Sequence, residues 1–280
     1  ALPAHGRHPT SQVVTFRDRL YLIDCGEGTQ MRLNDYRVHR SRIGHIFISH
    51  LHGDHYFGLI GLLNSFGLQG RTQPLTIFGP APLEAILRLQ FEAADTVLPY
   101  PLEFTALEPG QVRVILEQED MAVTAFPTDH RIDCVGFSFR ELHPRRKIDP
   151  EAALRRGIPP AFFRRLQPGD DYVSDDGTRV PNREVTLDPP RGRRYVYCAD
   201  TRYDERLLPH ISGADLVYHE ATYLAGEEEN AFKRYHSTGV QAATLSLKGA
   251  TKKLLMGHSS SKYQELRRLL GECVPVFSAT

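Results

Sequence analysis

The segment Ser49-His50-Leu51-His52-Gly53-Asp54-His55 constrains this chain more than any other. It follows residues 42–49 (RIGHIFIS), apolar at nearly every step, which predicts a strand buried on both faces. It precedes residues 58–68, where Leu59, Leu62, Leu63 and Phe66 recur at helical spacing. Three imidazoles and a carboxylate therefore gather where a strand ends and a helix begins. His50 and His52, two apart in extended backbone, point to the same side. Asp54 and His55 sit at the turn into the helix and can aim at a second point nearby. One His on a strand is usually packed core. This density is hard to explain that way, and imidazoles with a carboxylate are typical ligands of a hydrolytic zinc.

Further strands are predicted over residues 19–24, 75–78, two within 112–126 (the second over 121–126), 136–140, 195–199, 215–219 and 253–256. Helices are predicted over 82–91, 239–247 and 263–270. Strand endings repeatedly carry His or Asp, which suits a layered α/β body with a site at the strand ends.

The chain has 280 residues, 41% hydrophobic and 24% charged, which argues against a mostly disordered protein. No apolar run approaches the ~20 residues of a membrane span, and residues 1–7 have no apolar core of a signal peptide. Cys25, Cys134, Cys198 and Cys273 stand far apart, so neither a disulfide framework nor a thiolate zinc knuckle is expected, and a cytoplasmic location is. Net charge is zero, which excludes a globally basic nucleic-acid binder but not a local patch. Residues 140–194 hold 13 Lys+Arg against 9 Asp+Glu, with two Pro-Pro pairs and weak periodicity. This stretch reads as an inserted arm over 141–190, or as a plain solvated loop.

Several residues carry two readings. Asp24, in a glycine-punctuated turn, either orients a ligand His or is a turn aspartate. Thr238-x-x-Gln241 matches a capping box, and a helix start so capped still offers N–H groups to a phosphate. His236 just before it is, taken alone, a helix-start residue; a carboxylate partner, for which Glu220 is placed, would make it a proton donor. Arg145, Arg146, Lys147, Arg155, Arg156, Arg164 and Arg165 are suited to RNA phosphates, while Phe162 and Phe163 either stack on bases or pack the arm onto itself.

The run from His50 to His55 resembles the HxHxDH signature of the metallo-β-lactamase fold, which implies a four-layer αββα sandwich, here with a protruding basic arm. The resemblance implies later ligands, and His130, Asp200 in YCADT, and His258 in MGHS stand in the expected order. By that resemblance one zinc takes His50, His52 and His130, a second takes Asp54, His55 and His258, and Asp200 bridges. Manganese suits the same donors. DCGEGTQ (24–30), SHLHGDHYFGLIGLL (49–63), LQGRTQPLTIFGP (68–80), HEAT (219–222) and HST (236–238) narrow the resemblance to the ribonuclease Z family.

That family implies a metal-dependent endoribonuclease that removes the 3′ trailer of precursor tRNA, leaving a tRNA 3′-hydroxyl and a 5′-phosphate on the trailer. It also implies a homodimer in which one subunit's arm serves the other's site. His236 and Glu220 become the acid pair, and Asp54 is either general base as well as ligand or ligand alone. Arg164, Arg165, Thr238, Ser260 and Tyr263 are the substrate-binding candidates. Residues 157–166 stand where the family has a Gly-Pro-rich arm motif, Ala199 where it has Gly, and Gly257 where it has Thr. The family starts a strand earlier and runs past Thr280, so both ends are expected to be truncated. Two other classes compete: a small-molecule phosphodiesterase or thiolester hydrolase of the same fold, and an RNA-binding module with structural metals.

Overall fold

The structure is a computed structural model that describes residues 2–277. Strands β1 (Gln12–Phe16), β2 (Arg19–Ile23), β3 (Ile43–Phe47), β4 (Leu75–Pro80) and β5 (Leu102–Leu107) form one sheet in that order. The first pair is antiparallel and the rest run parallel. The second sheet contains β6 (Arg113–Gln118), β7 (Met121–Pro127), β8 (Val135–Glu141), β9 (Arg194–Tyr197), β10 (Leu216–Glu220) and β11 (Leu254–Gly257), in the order β11-β10-β9-β8-β7-β6. β8 is antiparallel to both β7 and β9, and β9, β10 and β11 are parallel, so β7, β9, β10 and β11 all point one way.

Side-chain alternation explains the layers. In β2, Tyr21 and Ile23 enter a core shared with Phe47, Val123, Phe137, Phe139 and Tyr197 of both sheets. Leu20 and Leu22 face the other way, onto a core with Leu59, Leu62, Leu63 and Phe66. These last come from helix α1 (Leu59–Leu68), whose apolar positions recur on one face. The second sheet's outer face packs Val196, Cys198 and Val217 against Leu207, Ile211 and Leu245. Leu245 belongs to helix α2 (Gly239–Lys248). Helices thus cover both outer faces of two stacked sheets, the αββα arrangement.

Two expectations shift. The helix expected over 263–270 spans Arg267–Cys273 instead. Tyr263 is held out of it, its hydroxyl bonded to Glu227 and to the Leu224 N–H. Residues 12–16 and 102–107 are strands that the sequence reading left unassigned.

Between β8 and β9 the chain leaves the sheet. It makes two short strand pairs, Lys147–Ile148 with Thr186–Leu187 and Tyr172–Val173 with Arg179–Val180. Ala153, Ile158, Leu166, Val180 and Val185 form a small core of their own, with Phe162, Phe163 and Tyr172 against it. Of the two readings of those phenylalanines, packing is what the structure shows. Five arginines here face acids of the same segment: Arg146 with Asp188, Arg155 with Glu151, Arg156 with Glu184, Arg165 with Asp170 and Arg179 with Asp171. Pairing leaves the segment's net charge as its composition gives it, but commits these five arginines to local partners. Among the described residues no helix is long and apolar enough to cross a membrane.

Candidate metal centre and active site

Strand direction brings the polar residues together. Asp24 follows β2, His50 follows β3, His130 follows β7, Asp200 follows β9, Glu220 ends β10 and His258 follows β11. All lie at one edge of the sandwich, where parallel strands deliver their C-terminal ends.

Among the described residues three overlapping donor groups result, one of them Asp200, His236 and His258. His50, His52, His130 and Asp200 offer atoms all within 4.8 Å of one another, and so do Asp54, His55 and His258. Asp200 Oδ2 stands between them, 3.8 Å from His50 Nε2, 3.9 Å from His130 Nε2, 3.5 Å from His55 Nε2 and 3.3 Å from His258 Nε2. Outer contacts aim the rings. His55 Nδ1 donates to Asp24 Oδ2 at 2.8 Å, and His130 Nδ1 donates to the Tyr235 carbonyl at 2.9 Å. The Thr222 hydroxyl, its proton given to Glu220 Oε2 at 2.5 Å, accepts from His258 Nδ1 at 3.0 Å. Each of these rings therefore turns Nε2 inward. His52 is reversed, its Nδ1 lying 3.1 Å from His50 Nε2 and 3.0 Å from His130 Nε2.

These residues fit a cation. Burial and the nearby His55 hold His50 well below the usual histidine range; burial and His130 bring His52 to about 4; burial also lowers His130. The Arg131 guanidinium donates to His52 Nε2 at 2.8 Å, so the neutral His52 ring carries its proton on Nδ1, which can serve only one of His50 Nε2 and His130 Nε2 at a time. His55 Nε2 is buried without a hydrogen bond. Burial opposes ionisation of Asp200 and Asp54, yet His258 and His55 hold both carboxyls below their ordinary values. Ring nitrogens and carboxylate oxygens crowd one space, and against burial the Asp200 and Asp24 carboxylates push the His55 imidazole up to about 10, so a proton here occupies a place that a divalent metal would fill.

His236 approaches the same centre, Nδ1 4.0 Å from Asp200 Oδ2, but that nitrogen bonds Glu220 Oε1 at 2.7 Å. Burial works against a proton on His236, and the Glu220 carboxylate outweighs it, raising the imidazole above its ordinary value. Glu220 is fully buried, and its carboxylate also accepts from the Thr201 N–H, the Thr222 N–H and the Thr222 hydroxyl. A cleft of about 1020 Å³ opens over this edge, lined by Asp54, His130, His236 and Ser260 together with Arg131 and Arg234.

Comparison with known proteins follows the same lines. Residues 5–139 match the family described as anti-Pycsar protein Apyc1. The chain is 40% identical to ribonuclease Z of Porphyromonas gingivalis over 280 residues, covering 100% of this chain and 92% of that protein. The chain belongs to the ribonuclease Z family. The Bacteroides fragilis ribonuclease Z is 41% identical over 282 residues with the same coverage. Among solved structures, human tRNase Z, short form, superposes with a TM-score of 0.70 at 26% identity, covering 91% of this chain and 88% of that one. The metallo-β-lactamase fold protein YhfI of Bacillus subtilis, at TM-score 0.67 and 21% identity over 100% of this chain and 90% of that one, shares the fold.

Within this ribonuclease Z family member the substrate-binding candidates separate. Ser260 lines the cleft. Thr238 does not: it is fully buried, and its hydroxyl accepts from the Gln241 N–H while Gln241 returns a bond to the Thr238 N–H. Of its two readings, the capping box is the one its hydroxyl serves. Tyr263 is likewise committed inward, to Glu227 and Leu224. Arg164 and Arg165 lie in the excursion between β8 and β9, outside the cleft lining, and Arg165 faces Asp170. Asp24 contacts His55 and so takes the orienting reading.

Sequence reasoning missed Tyr235, whose functional contact is a backbone carbonyl and carries no side-chain signal. It also missed Arg131, whose guanidinium lies 2.8 Å from His52 Nε2. Its place directly after His130 was the available clue.

Proposed function

We propose that this ribonuclease Z family member is a zinc-dependent endoribonuclease. It cuts precursor tRNA to leave a 3′-hydroxyl on the tRNA and a 5′-phosphate on the trailer. The observation that carries this is the His236–Glu220 contact at the edge of a cation-fitting cluster, inside a cleft with exposed arginines. His50, His52 and His130 would hold one metal, Asp54, His55 and His258 a second, and Asp200 both. Zinc suits the nitrogen-rich set, and manganese is the second choice. Bound there, a pair of such ions supplies charge stabilisation on the phosphate and an activated water.

The chain's own residues do the rest. Asp54 is kept ionised and faces the cleft, so it can take the proton of the attacking water as well as serve as a ligand. His236, biased toward its protonated form by the Glu220 carboxylate, can give a proton to the departing ribose oxygen. Glu220 keeps the imidazole in one orientation and balances its charge. The segment over 141–190 grips the tRNA body through phosphates, with Arg164 among its exposed cations. A cytoplasmic homodimer, one arm serving the partner's site, completes the reading.

Incubation with a precursor tRNA and mapping of both product ends, with and without chelator, tests it. Cleavage at the 3′ end of the tRNA body that stops with chelation is expected. An intact precursor beside rapid hydrolysis of a small phosphodiester would favour the small-molecule enzyme instead.

A further inference from the structure

Arg202 lies two residues beyond Asp200, in the loop after β9, and its side chain is only 18% exposed. Its guanidinium carbon stands 4.0 Å from the ring centre of Phe232 and 3.5 Å from that of Tyr235. Its Nε donates to the Phe232 carbonyl at 2.7 Å. Its backbone N–H donates to the Asp129 carbonyl at 2.9 Å, immediately before His130. One side chain therefore ties the Asp200 loop to the end of the helix Glu228–Arg234.

That helix ends on Tyr235 in the left-handed conformation, φ 61°, with the His236 N–H reaching back to the Ala231 carbonyl at 2.9 Å. Glycine is the usual residue at such a cap, because any side chain strains the backbone there. Here the strained residue supplies a ring to Arg202 and a carbonyl to His130 Nδ1. The next residue is His236, on Glu220. Turning this one peptide would disturb a candidate metal ligand and the candidate acid together. The Asp200 loop also reaches the acid pair, since the Thr201 N–H donates to Glu220 Oε1 at 3.1 Å and the Ser237 hydroxyl donates to the Thr201 carbonyl at 2.8 Å.

We propose that Arg202, stacked between Phe232 and Tyr235, is a positioning residue that sets the orientation of His130 and His236 at once. The stack needs a planar, delocalised cation with a donor at Nε, so lysine is no substitute. The role in turnover rests on the nuclease reading above; the role at His130 does not.

The test uses the full, metal-loaded chain and three variants. Arg202→Lys keeps the charge and loses the plane. Tyr235→Gly loses the ring but relieves the left-handed strain, so its melting temperature should hold or rise. Tyr235→Phe keeps the ring. Metal affinity, measured by competition with a chromophoric chelator, should fall roughly 10–100-fold in the first two variants, the range seen when partners of ligand histidines are removed. The kcat on precursor tRNA should fall by a similar factor with KM little changed, and Tyr235→Phe should match wild type in both. Unchanged metal affinity and kcat in Arg202→Lys and Tyr235→Gly would overturn the proposal. So would a drop in melting temperature alone. A rise in KM alone for Tyr235→Gly would also overturn it, making the ring a substrate contact. If the wild-type chain does not cut precursor tRNA, the nuclease reading fails, and the chelator competition still decides Arg202.

Discussion

Asp24 Oδ2 and His55 Nδ1 lie 2.8 Å apart, with both side chains wholly buried. The same carboxylate takes hydrogen bonds from the Ser49 N–H at 2.7 Å, the Ser49 hydroxyl at 2.9 Å and the Tyr197 hydroxyl at 2.5 Å. Four donors from both sheets immobilise it, and through it His55 presents a single nitrogen to the metal cluster. Asp24→Asn would place an amide where a charge-assisted acceptor stood. Metal affinity should fall roughly 10–100-fold by chelator competition. Asp24→Ala should in addition lower stability by about 1–3 kcal/mol per stranded donor in denaturant titration.

Elemental analysis should find two zinc ions per chain, and His130→Ala should lower that number. His130 is chosen because its Nε2 faces His52 Nδ1 at 3.0 Å and Asp200 Oδ2 at 3.9 Å, while its own orientation comes from the Tyr235 carbonyl. A metal-free protein with full activity would end the mechanism.

His236→Ala should keep both metals, because its Nδ1 is already engaged by Glu220. Turnover should drop by ~10²–10⁴-fold, the usual contribution of general acid catalysis. Glu220→Gln should move in the same direction, since an amide balances no imidazolium charge. Loss of zinc from His236→Ala would make it a ligand, consistent with its place near Asp200 and His258.

Arm removal should be made at the neck, where the Glu141 N–H meets the Arg193 carbonyl at 2.9 Å and β8 pairs with β9. Replacing residues 143–191 with a short glycine linker leaves both sheets intact. A small phosphodiester should still be hydrolysed, while precursor tRNA cleavage falls through weaker binding. Wild-type tRNA binding should weaken with salt, with a log–log slope of roughly −0.7 to −0.9 per phosphate neutralised. Arg164→Ala should reduce that slope more than Arg179→Ala, because Arg179 already faces Asp171. Processing at the wild-type rate without the arm would remove it as the RNA grip.

Thr238→Ala should cost about 1 kcal/mol of stability through the lost cap, read as a lower melting temperature, while turnover at 25 °C stays at wild type. A selective rise in KM would return Thr238 to the substrate.

Most of the strand pattern was legible because these strands are buried on both faces and read as continuous apolar runs, as 43–47 does. The cation-fitting cluster was legible because imidazoles and carboxylates at strand ends have few other reasons to be there. Residues 12–16 escaped because alternation in an edge strand is short and mixed. The arm's core escaped because its residues come from two-residue strands and single turns, which leave no period. Tyr263 and Thr238 were placed near substrate by their position after or before site residues. Their hydroxyl partners, Glu227 and the Gln241 N–H, are matters of packing and cap geometry that adjacency does not reveal.

The donors of the cluster are divided between the two sheets. His50, His52, Asp54 and His55 come from one, and His130, Asp200 and His258 from the other; His258 Nε2 meets Asp54 Oδ2 at 3.0 Å across 204 residues of chain. A cation held there acts as a cross-link, much as a disulfide closing a very long loop would, in a protein whose four cysteines are all free and buried. Because such a staple binds the folded sandwich and not the open chain, its free energy adds to that of folding. Metal supply would then govern how long the two halves stay together as well as how fast the site turns over.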